Sequence, residues 1–270
     1  MPPDRESAYQ LRVGCSGWNY AHWRHGVFYP ERCPPARWLR YYTQFFDTVE
    51  LNNTFYRLPR TSAVARWVAE APPDFVFAVK VSRYITHVKR LADTEQHLPL
   101  LLDRIEPLVH SPKLGPLLWQ LPPSFRRDDE RLGAALAAFP PSLRHALEFR
   151  HESWFAPDVM ALLREHNVAV VIADRPEIAS FQTHELTADF TFLRFHHGSR
   201  GLRGNYSERE LDEWTERIGS WHERGDVFAY FNNDWEGFAI RNALGLKKRL
   251  GLESSDAVGH DAGRAHAHRS

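Results

Sequence analysis

Glu50-Leu51-Asn52-Asn53-Thr54-Phe55-Tyr56-Arg57-Leu58-Pro59 is the stretch whose reading decides the fold. Asp47-Thr48-Val49 runs into it with strand character, so Glu50 stands where a buried strand calls for an apolar side chain. An unpaired carboxylate is costly to bury, and a strand that carries one must pair it or open it onto a polar cavity. The pattern recurs along the chain: an apolar run, one or two polar residues, a loop, then a helix.

Working outward, period-two and short apolar runs predict strands over residues 11–15, 47–52, 75–81, 117–121, 145–150, 168–174, 190–196 and 227–232. Helical spacing fills the gaps at 34–46, 61–70, 94–109, 128–139, 157–166, 207–224 and 236–250. Thr61 or Ser62 is expected to cap the second of these, Pro72-Pro73 stops it, and Ser207 with Glu210 spells a capping box. Residues 175–188 are too short and too weakly periodic for a helix. Strands alternating with helices give a parallel sheet covered by helices. Eight units predict an α/β fold, a single (β/α)8 TIM-type barrel with parallel strands and one weak or missing helix between strands six and seven. A doubly wound open sheet is the alternative, but no strand is followed by a phosphate-binding glycine fingerprint.

The 270 residues suit one such domain, read here as 11–252 between a flexible N-terminus (1–10) and a disordered, His-rich tail (253–270). Lysine plus arginine and aspartate plus glutamate both number 34, which argues against broad electrostatic attachment to nucleic acid or anionic membrane. Two cysteines, Cys15 and Cys33, make no disulfide framework, and no zinc-ligand spacing occurs. With no long apolar span and no secretory segment after Met1, a cytoplasmic protein is expected.

A barrel gathers the polar residues at the C-terminal ends of its strands into one mouth. Read by period two, Glu50 shares a face with Asn52, Lys80 with Ser82, Glu148 with Arg150, Arg194 with His196, and Tyr230 with Asn232. Gln120 and Asp174 each add one group. Glu50 and Glu148 are the acid/base candidates, with His196 as a proton carrier, and His87 is a second histidine of that kind. Lys80, Arg150 and Arg194 would present cations to an anionic ligand. Glu50, Glu148 and Asp174 match them in number, so charge balance does not demand one. Asn52, Gln120 and Asn232 would bind the substrate's polar edge. Among the aromatics after strand ends (Trp18, Tyr20, Phe55, Tyr56, Trp154, Trp235), Tyr56 and Trp154 are taken as the stacking residues. The same ring of residues also reads as a hydrogen-bonded plug that closes the barrel and does no chemistry. No metal ligands are assigned and the sequence requires no cofactor; a divalent metal is the lesser alternative.

Several segments resemble the YecE-like family, domain of unknown function 72. They include Val13-Gly14-Cys15-Ser16-Gly17-Trp18, Glu50-Leu51-Asn52-Asn53-Thr54-Phe55-Tyr56, Phe77-Ala78-Val79-Lys80 with Thr86-His87, and Gln120-Leu121-Pro122-Pro123. Leu114-Gly115-Pro116, Glu148-Phe149-Arg150-His151 with Trp154, Arg194-Phe195-His196, and Phe231-Asn232-Asn233 with Ala239 and Asn242 complete the set, which spans about residues 12–250. The resemblance implies a TIM barrel and brings no established reaction. After strand seven a single His-Gly pair is expected, whereas this chain reads His196-His197-Gly198.

Together these readings give an enzyme of hydrolase or lyase type, acting by acid/base chemistry on a polar or anionic, phosphorylated or sugar-like small molecule. The alternatives are a nucleic-acid-binding or metal-assisted phosphodiesterase barrel, and a non-catalytic ligand-binding barrel. Nucleic acid is not favoured as a partner, no membrane is expected, and the sequence does not speak to oligomeric state.

Overall fold

A computed structural model of the chain describes residues 9–175, 178–196 and 204–252. The expectations for 1–8, for His197 and most of the glycine/arginine loop after it, and for the tail from 253 lie outside the described residues. All nine strand segments belong to one parallel sheet: β1 (Leu11–Cys15), β2 (Thr48–Leu51), β3 (Val76–Lys80), β4 (Leu114–Gln120), β5 (His145–Glu148), β6 (Val168–Val170), β7 (Ile172–Asp174), β8 (Phe190–Phe195) and β9 (Asp226–Phe231). The first and last pair directly, Leu11 against Val227 through Cys15 against Phe231.

The apparent ninth strand is the expected sixth, divided at Val171. β6 pairs only with β5 and β7 only with β8, so the halves of one strand turn to opposite neighbours and close the barrel. Thr187 satisfies the edge of β6 that β8 leaves open: its hydroxyl accepts from the Val170 amide at 2.7 Å and donates to the Val168 carbonyl at 2.7 Å. A second side chain repairs the seam between β1 and β2, which share a single register pair, Cys15 with Val49. The Tyr42 hydroxyl accepts from the Cys15 amide at 2.9 Å and donates to the Thr48 carbonyl at 3.0 Å.

Helices α1 (Trp38–Tyr42), α2 (Asn53–Tyr56), α3 (Thr61–Glu70), α4 (Thr94–Arg104), α5 (Glu106–Val109), α6 (Asp129–Ala138), α7 (Pro157–Glu165), α8 (Glu208–His222) and α9 (Phe238–Arg249) cover the sheet. The helix expected over 94–109 is two, because Pro107 has no amide to continue the ladder and the chain breaks at Ile105. α3 has the expected span, but Arg60 stands at its N-cap without a side-chain bond, in place of Thr61 or Ser62. The Ser207–Glu210 capping box forms in full. Between β7 and β8 only a 3-10 turn, Ala179–Gln182, is described, in keeping with the weak helix expected there. β4 begins earlier than expected and takes in Pro116; its pairing to β3 shifts register between Phe77 and Val79, which accommodates a residue with no N–H.

Two apolar cores result. The larger lies between sheet and helices; the smaller fills the barrel with Val76, Ala78, Leu118, Ala146, Ala169, Val171, Phe190, Phe192, Phe228 and Tyr230. Gly14 makes room for the smaller one. A Cβ there would stand 2.3 Å from the Thr48 carbonyl oxygen, where the Tyr230 hydroxyl crosses to meet Thr48 Oγ1 at 2.7 Å.

Candidate functional site

Above the interior side chains Ala78, Leu118 and Ala146 the barrel turns polar, because the next inward positions on their strands are Lys80, Gln120 and Glu148, and Glu50 and Arg194 meet them from β2 and β8. Arg194 is 1% exposed and stands at the centre. Its Nε donates to Glu50 Oε2 at 2.8 Å and Nη2 to Glu50 Oε1 at 2.8 Å; Nη1 donates to Glu148 Oε2 at 2.6 Å and to Gln120 Oε1 at 3.4 Å. Both carboxylates are fully buried. Glu50 spends both oxygens on this one fork, the geometry in which arginine and carboxylate bind most strongly.

Glu148 keeps an oxygen for the mouth. Its Oε1 lies in ion-pair contact with Arg150 Nη2 and 3.3 Å from His196 Nε2, yet no hydrogen bond is aligned to it. Burial pushes this carboxyl up, but Arg194 and His196 outweigh burial and hold it below the ordinary carboxylate range. Burial also pushes His196 down, against the pull of Glu148, and so favours the neutral ring. A neutral imidazole carries one proton, and two neighbours compete over Nε2. Protonated there, it serves Glu148; bare, it accepts from Arg150 Nη2 at 3.2 Å. At Nδ1 the Asn232 side chain stands 3.2 Å away.

Lys80 differs from the other cations. It is 8% exposed, and among the described residues its ammonium makes no ion pair or hydrogen bond, only a cation–π contact with Phe55 at 4.1 Å from the ring centroid. Burial, then Arg194, lower its pKa to about 8. His87 packs edge-on against the same Phe55 ring at 5.0 Å, and burial together with Lys80 and Arg83 lowers it to about 4. The His87 segment, Tyr84–Val88, is a π-helical turn, which sequence periodicity did not indicate.

Of the residues expected at the mouth, Glu50, Lys80, Gln120, Glu148, Arg150, Arg194, His196 and Asn232 are brought together. Asn52 joins them at the rim, its Nδ2 donating to the Ser16 carbonyl at 3.0 Å. Tyr56 is 79% exposed outside them. Two do not join. Asp174 takes the opposite parity from Val171 and so leaves the barrel, where Gln182 Nε2 donates to it at 2.6 Å. Trp154 is fully buried in the outer core, stacked on Phe149 at 4.9 Å with its Nε1 donating to the Phe125 carbonyl at 2.8 Å. Trp18 and Phe55 are likewise buried, whereas Trp235 is exposed.

The departure of Asp174 changes the charge count: three cations, Lys80, Arg150 and Arg194, now face two carboxylates. The sequence reading also missed polar atoms that belong to the rim. Ser16 Oγ and Asn53 Oδ1 are buried without a partner among the described residues, as is Oδ1 of Asn52, which the sequence had placed at the mouth. Also missed was the pair formed by His22 Nε2 and Asp234 Oδ2 at 2.8 Å, whose members follow β1 and β9. Nothing local marks that pair, since its members stand at opposite ends of the chain. Among the described residues no group of three or more His, Cys, Asp or Glu is placed to hold a metal ion, and no helix is long and apolar enough to cross a membrane. A cleft of about 450 Å³ under the barrel floor carries two arginines, but each is answered, Arg12 by Asp47 and Arg144 by Asp226. The mouth is the better candidate.

Comparison with known proteins agrees with the fold. Residues 12–266 match the family described as "Protein of unknown function DUF72". The UPF0759 protein YunF of Bacillus subtilis is 27% identical over 280 residues, covering 91% of this chain and 96% of that protein. The crystal structure of a DUF72 family protein from Thermotoga maritima is 32% identical, covers 90% of this chain and 100% of its own, and superposes with a TM-score of 0.81. A DUF72 family protein from Enterococcus faecalis, 24% identical over 91% of this chain and 97% of its own, superposes with a TM-score of 0.76.

Proposed function

This chain belongs to the DUF72 family, and we propose that it uses the family's barrel as an enzyme, acting by acid/base chemistry on a small anionic molecule held at the C-terminal mouth. The observation that carries this reading is the unanswered charge. Three buried or nearly buried cations meet two carboxylates, and the cation left over, Lys80, has no counter-ion within 4.0 Å among the described residues. A buried cation without a partner is costly, and an anion bound beside it removes that cost.

The roles divide by geometry. Glu50 and Arg194 form a fixed frame, since every oxygen of Glu50 is occupied. Lys80 and Arg150 hold the anionic group. Glu148 and His196 move the proton: the carboxylate turns its second oxygen to Arg150 and His196, and a neutral imidazole there can carry its proton on either nitrogen. The unpartnered Ser16, Asn52 and Asn53 atoms supply hydrogen bonds to the rest of the ligand.

Thermal unfolding tests this with inorganic phosphate, sulfate and glycerol phosphate. Ligand at about 100 times its Kd stabilises by about 2.7 kcal/mol, a rise of several degrees for a chain of this size. The rise is expected to vanish in Lys80→Gln and to shrink in Arg150→Gln. Equal shifts in the wild type and both variants would overturn the assignment. A ligand-binding barrel without turnover is the second reading, favoured by the complete capture of Glu50. The two part on one result, whether a ligand that stabilises the protein is recovered unchanged after incubation.

A further inference from the structure

Lys80 has a chemistry that the proposed acid/base reaction leaves unused. It projects inward at the end of β3, and its amine touches no carboxylate. It lies over the apolar face of the Phe55 ring, 4.1 Å from its centroid. Glu50 and Glu148, the acids that would otherwise fix it as an ammonium ion, are both turned onto Arg194. We propose that the Lys80 amine is a nucleophile that captures a small anionic carbonyl compound, an aldehyde or ketone bearing a carboxylate or phosphate, as an imine. The proposal rests on the anion-binding reading of the mouth given above and names its substrate class.

The surroundings suit each half of the reaction. Attack requires the neutral amine, and a pKa of about 8, lowered by burial and by Arg194, leaves a useful fraction of it near neutral pH. The amine lone pair bonds to the carbonyl carbon while the carbonyl oxygen takes up a proton, giving a carbinolamine. The nitrogen then releases a proton, and the carbon–oxygen bond breaks with a second protonation, so that water leaves. His87 is the residue placed to pass these protons. Its Nδ1 lies 2.9 Å from Thr86 Oγ1, and that hydroxyl donates to the Ser82 carbonyl at 3.1 Å. With the hydroxyl hydrogen so committed, Nδ1 carries the ring proton and Nε2 keeps a bare lone pair. Phe55 lies against both Lys80 and His87, and excludes water from the side where the imine would hydrolyse.

Borohydride reduction tests the idea on the full chain, because hydride adds to the imine carbon and leaves a stable secondary amine. The protein is incubated near pH 7.5 with pyruvate or with glycolaldehyde phosphate, reduced, digested and read by peptide mass spectrometry. The chain has five lysines, so Lys89, Lys113, Lys247 and Lys248 serve as internal controls. Modification is expected at Lys80, on the order of tenfold or more above the exposed Lys248, because its lowered pKa leaves it more free amine than an ordinary lysine has. The more efficient probe tells whether carboxylate or phosphate is the preferred anion. Lys80→Arg, checked for folding by circular dichroism, is expected to lose that adduct alone. Adducts spread over Lys89 and Lys248 with Lys80 unmodified would overturn the proposal. Lactate and glycerol phosphate, which lack the carbonyl, separate the two levels. If they stabilise the protein while Lys80 stays unmodified, the covalent step fails and the anion site stands. If they do not stabilise it and Lys80 stays unmodified, both fail.

Discussion

Replacing Arg194 with methionine keeps much of the side-chain stem and removes the charge that answers two buried glutamates. Arg194 makes three hydrogen bonds of 2.6–2.8 Å to fully buried carboxylates, so the variant leaves Glu50 with no cation on either oxygen. Removing one partner of a buried pair costs about 3–5 kcal/mol, a large share of the roughly 5–15 kcal/mol that holds a domain folded. With a urea m-value of about 3 kcal/mol/M, the unfolding midpoint falls by roughly 1–1.7 M. The dependence on pH separates this cause from simple loss of packing. In the wild type Glu148 is held below its ordinary pKa, so its contribution is present above the unfolded value and is lost as the pH falls through the lowered folded one. In Arg194→Met the strongest downward influence is gone and burial pushes the carboxyl up. The variant therefore regains stability as the pH falls and Glu148 takes up its proton. The gap between the two proteins should narrow from pH 7 to pH 4.5. A gap under about 1 kcal/mol at pH 7, or one that widens on acidification, would refute the view that Arg194 neutralises this core.

Gly14→Ala puts a Cβ 2.3 Å from the Thr48 carbonyl oxygen, which belongs to the backbone and cannot yield like a side-chain tip. A loss of about 1–3 kcal/mol or more is expected in urea titration, and an unchanged midpoint would show that β1 and β2 separate freely. Cys15 is buried, with its thiol pushed up by burial, while Cys33 is partly exposed. An aromatic disulfide reagent should titrate one thiol in the native protein and the second only after unfolding; two fast equivalents would contradict the packing. His145 accepts from Trp119 Nε1 at 3.1 Å and lies 3.2 Å from the Pro140 carbonyl, and burial lowers it to about 4. Because its folded pKa is depressed, its contribution is complete above about 6.5 and is lost as the pH falls towards 4, a decline on the order of 2–3 kcal/mol. His145→Gln should flatten that part of the stability curve, and parallel curves for the two proteins would exclude His145 as its source.

The barrel was legible because parallel strands buried on both faces stand out as apolar runs, and because Glu50, Lys80, Glu148 and Arg194 each interrupt such a run towards its C-terminal end. Period two then aligned them correctly with Arg150 and His196. Asp174 went wrong for the complementary reason. Residues 168–173 are apolar on both faces, so nothing in that run reveals its phase, and the strand break at Val171 has no local signature either. Trp154 was misplaced because its hydrogen-bond partner, the Phe125 carbonyl, stands 29 residues earlier. That one arginine would claim both glutamates, across 144 and 46 residues, was equally beyond local reading. Strand-end reading offers three cations and three acids at the mouth without saying which are spoken for.

Glu50 leaves the ribosome 144 residues ahead of Arg194, about 7–30 s at ordinary rates of synthesis. Through that interval the early strands can pair, but seating β2 in a dry sheet would bury a carboxylate with no answer. Half-built barrels are thereby penalised, and the penalty lifts only when β8 emerges with its guanidinium. β9 then follows to meet β1, joining Leu11 to Val227. The charge cluster at the mouth thus also acts as a timing device, tying burial of the interior to the arrival of nearly the whole chain.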